Sequence, residues 1–120
     1  MKQNDHEHAL PQIPLAPGDL EVIGDILGGN IGYLRNNASL SAQTVTRIQE
    51  LEKIRVRILV LQYQGDGQHV EVSRDDILVI RAAMITFVQL TRRIVPQSPE
   101  RDETLKRVNL LRQHLEKGLL

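Results

Sequence analysis

The chain has 120 residues, fifteen basic against fifteen acidic side chains, no cysteine, and a hydrophobic content of 41% in which only Tyr33, Tyr63 and Phe87 are aromatic. That length suits one domain, since two separate cores would each be marginally stable. The lack of cysteine excludes disulfides, thiolate nucleophiles and Cys-based zinc or iron–sulfur sites, and the balanced charge gives no whole-molecule pull toward polyanions.

Residues 1–18 read as a Pro-containing N-terminal tail, flexible or laid across its own bundle, ahead of a single helical domain over 19–120. Pro11, Pro14 and Pro17 recur at the three-residue turn of polyproline II and set Leu10, Ile13 and Ala16 on one ridge. The two overlapping P-x-x-P patterns also suit a Pro-rich ligand. The opening residues, Met-Lys-Gln-Asn-Asp-His-Glu-His, are polar where a secretory signal needs an apolar stretch. Asn37-Ala38-Ser39 is accordingly read as a chance match to a glycosylation sequon.

Asp19 suits the N-cap of a first helix running to about Asn36, with Leu20, Ile23, Leu27, Ile31 and Leu34 at helical spacing. Gly24, Gly28, Gly29 and Gly32 fall in the same helix and weaken it by about 1 kcal/mol each relative to alanine. Two readings fit. The helix breaks at Gly28-Gly29 with Asn30 capping a second piece, or it stays intact and Gly24, Gly28 and Gly32 form a smooth groove at i, i+4 and i+8 that admits another helix. The groove is one candidate interface, for this chain's own helices or for a partner.

Asn36-Asn37-Ala38-Ser39 reads as a loop and Ser41 as the N-cap of a helix from near Ala42, continued by Val45, Ile48 and Leu51. The signal is then ambiguous. Residues 54–58, Ile-Arg-Val-Arg-Ile, alternate apolar with charged, and Gly65-Asp66-Gly67 is a turn followed by a second alternation at His69-Val70-Glu71-Val72. Read literally, this is a β-hairpin at 54–72. Read as helix to Tyr63, the same residues leave a polar stripe of Glu50, Lys53, Arg57 and Gln64 and bury much of the rest. An isolated hairpin is marginal without a third strand, so the helix is preferred and the hairpin is its alternative.

Ser73 is the clearest helix start, with Asp76 three residues on and Val72 and Ile77 placed as a hydrophobic staple. From Ile77 to Val95 apolar residues cover nearly the whole circumference, interrupted by Arg81, until Pro96 ends the helix. Such a helix must be surrounded, by its own bundle or by a second subunit, which makes Ile80, Met84 and Phe87 the second candidate interface. Its longest apolar run falls short of the ~20 residues that span a bilayer. Ser98-Pro99 then begins a last helix with carboxylates in the first turn and a narrow stripe of Leu105, Val108, Leu111 and Leu115. Gly118 sits where a terminating C′ glycine belongs.

No constellation carries evident chemistry. His6 and His8 flank Glu7 in the tail, while His69 and His114 lie far off, so four preorganised metal ligands are not gathered. Asp75 and Asp76 are accounted for by helix capping. Arg81 has three readings: snorkelling to solvent, pairing with a carboxylate, or facing a small ligand. Gly28-Gly29-Asn30-Ile31-Gly32 lacks both the lysine of a P-loop and the strand that precedes a dinucleotide fingerprint. Arg92, Arg93, Arg101 and Arg107 form a weak polyanion candidate, but acidic residues interleave and stacking aromatics are missing.

The sequence therefore predicts an all-α fold, a small antiparallel bundle of three to four helices, with no catalytic, metal or cofactor site and a cytoplasmic location. The expected function is a non-enzymatic protein–protein interaction module, an adaptor or a self-associating assembly subunit whose partner is itself or a larger assembly. A nucleic-acid-associated accessory protein using the last-helix arginines is the alternative.

Overall fold

Polar connections and side-chain caps divide the chain into helices. The computed structural model describes residues 12–13, 15–37, 41–64 and 70–119. In chain order these form β1 (Gln12–Ile13), α1 (Pro17–Asn37), α2 (Ala42–Gln64), β2 (Val70–Glu71), α3 (Arg74–Ile94), α4 (Pro99–Glu116) and a closing 3-10 turn, Lys117–Leu119. The fold is an all-α bundle. Among the described residues, no helix is long and apolar enough to cross a membrane.

Three helix starts follow directly from hydroxyl caps. The Ser73 side chain accepts from the Asp76 N–H at 3.0 Å, Ser98 from Arg101 N–H at 3.1 Å, and Ser41 from Thr44 N–H at 3.2 Å. Each satisfies one of the orphan donors of a first turn. Val72 and Ile77 are both buried beside Ser73, completing the staple. The first helix starts differently from expectation. It begins at Pro17, and Asp19 reaches back to accept the Ala16 N–H at 3.0 Å, so aspartate closes the turn from inside and proline takes the first helical position. At the far end, Gly118 lies within the 3-10 turn, after Lys117 in a right-handed conformation, and does not act as a left-handed terminator.

Helix α1 is unbroken through all five of its glycines. It packs against both α2 and α3, and α3 in turn packs against α4. The α1–α2 pair is antiparallel, since Gly24 lies by Ile58 while Arg35 near the other end of α1 ion-pairs with Glu52. The α3–α4 pair is antiparallel too: Arg81 meets Glu116, and Arg101 reaches the carbonyls of Arg92 and Val95. Ile23, Ile26 and Leu27 of α1, Leu51 and Ile58 of α2, Ile77, Ile80 and Met84 of α3, and Leu105 and Leu115 of α4 share one core.

One expectation is corrected here. The hairpin at 54–72 does not form, because 54–64 continue α2; Val70 and Glu71 pair instead with Ile13 and Gln12, antiparallel. This pairing, together with the full burial of Leu15, places residues 12–13 and 15–18 in the folded unit, while Leu10, Pro11 and Pro14 lie outside the described residues. Helices α1 and α3 are each flanked on two sides, α1 by α2 and α3, and α3 by α1 and α4. Helix α3 buries Ile77, Ile80, Ala83, Met84 and Val88 along one face and leaves Leu78 and Ile94 exposed.

Candidate interaction surface

The glycines thin α1 so that neighbours approach from two directions. On one side, Arg55 and Ile58 of α2 lie over Gly28 and Gly24, and the Arg55 Nε–H donates to the Gly24 carbonyl at 3.4 Å. A methyl group at Gly28 would come within 3.1 Å of Arg55 Nε. Gly32 stays open, at the mouth of a cleft whose walls include Asp25, Arg35, Glu52 and Arg55. The groove formed by Gly24 and Gly28 is thus filled by side chains of this chain's own α2.

On the other side, the buried Asn30 amide donates to the Ile26 carbonyl in its own helix and to the Ala83 carbonyl of α3, each at 3.2 Å. Small Ala83 lets the amide reach the backbone. Asn30 does not cap a broken helix, as one reading had it; it ties α1 to α3.

The second candidate set is divided by the fold. Ile80 and Met84 are buried in the chain's own core at 1% and 0% exposure, and Phe87 packs partly buried against it. Arg81, the polar break in α3, pairs through Nε with Glu116 at 2.6 Å, and Arg112 reaches the same carboxylate oxygen at 2.8 Å. The Arg81 hydrogen bond, with Arg112 adding to it, holds Glu116 below the usual carboxylate range against a smaller opposing effect of burial. Arg81 is therefore a cross-helix tie at the α3–α4 seam.

Part of the weak polyanion set is brought together, since Arg101 Nη1 donates to the Arg92 carbonyl at 3.4 Å. Arg92 and Arg93 are exposed at the end of α3, whereas Arg101 donates to the Val95 carbonyl at 3.0 Å and caps that same helix end. Arg107 is exposed and extends over Gly18 at the start of α1. His6, His8 and His69 lie outside the described residues; His114 lines a shallow cleft with Asp19, Glu103 and Arg107. Among the described residues, no group of three His, Cys, Asp or Glu side chains could hold a metal ion.

The surface that stands out was not among the candidates. Helix α2 was expected to bury much of what lies off its polar stripe. It buries Ile48, Leu51, Ile54 and Ile58 against α1, yet leaves Val45, Val56, Leu59, Val60 and Tyr63 exposed, Val56 at 58% and Tyr63 at 95%. These fall on the opposite side of the helix. Residues 42, 45, 49, 52, 56, 59 and 63 alternate at three- and four-residue spacing over three heptads, the spacing of a coiled-coil seam. Two shallow depressions run along it, one lined by Val56, Leu59, Val60 and Tyr63, the other by Gln49, Glu52, Lys53 and neighbours. Two apolar faces also explain the misleading alternation at 54–58: Ile54 and Ile58 point inward and Val56 outward, so a two-faced helix mimics the period of a strand.

No known protein-family description, no curated protein and no solved structure matches this chain.

Proposed function

We propose that this chain is a non-enzymatic interaction module that self-associates, as a homo-oligomer or as a subunit of a larger assembly. The observation that carries the reading is the outer face of α2. A helix that already buries one face on α1 keeps a second apolar stripe on its outside, with Val56, Leu59, Val60 and Tyr63 adjacent to one another. Contiguous exposed apolar residues of this kind mark interaction sites. A cytoplasmic location belongs to the same proposal and draws on the cysteine-free composition, which suits a reducing compartment.

The test is the light-scattering mass of the full chain over a wide concentration range. A mass that rises above that of one chain supports the reading, and a strict monomer at the highest concentration removes self-association. The nucleic-acid alternative has lost Arg101 to helix capping and draws on Arg92, Arg93 and Arg107. It requires binding to mixed RNA and DNA at low salt that falls steeply as salt rises.

A further inference from the structure

We infer that the segment leading into α1 is a built-in peptide ligand, and that its seat is a docking site for a partner protein. The partner segment the seat fits is extended and proline-flanked, with a leucine where this chain carries Leu15. Two contacts seat the chain's own segment. Gln12 and Ile13 pair antiparallel with Glu71 and Val70, and Leu15 is buried at 1% exposure in the same core as Val72. Ala16, between Leu15 and α1, is exposed, and its carbonyl accepts the Leu20 N–H at 3.2 Å. The regular helix therefore begins beyond Ala16. Gln12, Ile13 and Leu15 form a strap laid on the bundle.

The chemistry of the strap makes its hold replaceable. Pro11 and Pro14 bracket Gln12 and Ile13 and have no N–H to donate, which limits the ladder to a short grip. Prolines at 11, 14 and 17 also favour an extended backbone before docking, so little conformational freedom is lost when such a segment is seated. A short main-chain ladder, an aliphatic anchor and a proline-stiffened backbone are the means by which domains take extended peptides from other proteins. The seat is fixed independently of the strap. Val70 and Glu71 lead directly to Ser73, whose side chain caps α3 by accepting the Asp76 N–H at 3.0 Å. One leucine and a two-residue ladder leave a competing segment little to displace. The partner binds by displacement, because the chain's own strap already covers the seat.

The test uses the full chain and, as probe, a labelled synthetic peptide of residues 9–18. In this cysteine-free chain, Gln12→Cys with Glu71→Cys sets two thiols on directly paired residues, within reach of a disulfide. Oxidation locks the strap down and reduction frees it. The peptide should bind the reduced variant and the natural chain alike, and the oxidised variant at least about 10-fold more weakly, because the seat can no longer open. A peptide carrying Leu15→Ala should lose at least about 10-fold in affinity for the natural chain, because the anchor is gone. Three results overturn the inference. The peptide in millimolar excess fails to bind the natural chain, it binds the locked and reduced variants equally, or it binds as well without its leucine. A bridge that forms between two chains, in place of one within a chain, overturns the partner as occupant and gives the seat to the strap of a second copy.

Discussion

Gly29 and Gly28 are neighbours in α1, yet alanine has opposite room at the two positions. A methyl group at Gly29 meets nothing within 4 Å, while one at Gly28 presses on Arg55. Gly29→Ala should therefore raise stability by about 0.5–1 kcal/mol in urea unfolding, the ordinary gain of alanine over glycine inside a helix. Gly28→Ala should gain less or lose, because Arg55 must move. Equal gains at both positions would contradict the packing of Arg55 on Gly28. Asn30 is the other residue whose role is local and testable. Asn30→Ala removes the amide that joins the α1 and α3 backbones and should cost about 1–2 kcal/mol, whereas Asn30→Asp sets a carboxylate near two carbonyls and should cost more. A neutral Asn30→Asp would show that the amide is not holding the two helices.

Individual helices were legible in the sequence where end signals and periodicity agreed. Helices α3 and α4 were clear because Ser73 and Ser98 do the capping their positions suggest, and Ser73→Ala should cost about 1 kcal/mol by thermal or urea unfolding. Helix α2 was obscured by its own amphipathicity, since apolar residues on two opposite faces present the period-two pattern of a strand at Ile54, Val56 and Ile58. Helix α1 was obscured by glycine, whose propensity argues for a break that packing on both sides overrides. The cross-helix ties were invisible to spacing. Arg57 forks onto Asp76, with Arg57 Nη2 2.7 Å from Oδ1, so an aspartate explained by capping also joins α2 to α3.

At the α3–α4 seam the tie has a pH signature. Glu116 is held below its ordinary value of 4.5 by Arg81 first and Arg112 second, so its ionised form is favoured in the folded chain. A carboxylate with a depressed native value contributes stability that is present above the unfolded value and is lost as pH falls through the native one. Glu116→Gln should thus cost up to about 1 kcal/mol near neutrality, and the difference from the natural chain should shrink as the pH drops below about 4.5. A difference that is constant with pH would mean that the ionised carboxylate is not what joins the helices.

At the scale of the whole molecule, the arrangement follows from which helix could be thinned. Glycine and a single buried amide let α1 take neighbours on two sides, so α3 spends its inner face on the core and keeps Leu78 and Ile94 outside, while α2 is left at the edge with one face unused. Helix α3 has neighbours on two sides, α1 and α4, and still leaves part of its apolar circumference exposed. Gly24 and Gly28 carry side chains of α2, Gly32 stays open, and the exposed apolar surface lies on the back of α2. The stripe that marks that surface is masked in the sequence by the core-facing stripe of Ile48, Leu51, Ile54 and Ile58 on the same helix.

The claim that α2 has two faces with separate duties is tested most directly by the light-scattering mass of the natural chain beside that of the Val56→Glu, Leu59→Glu chain at one high concentration. The account predicts twice the chain mass for the first and a folded single chain for the second. A natural chain of single mass, or a substituted chain that stays double, would contradict it.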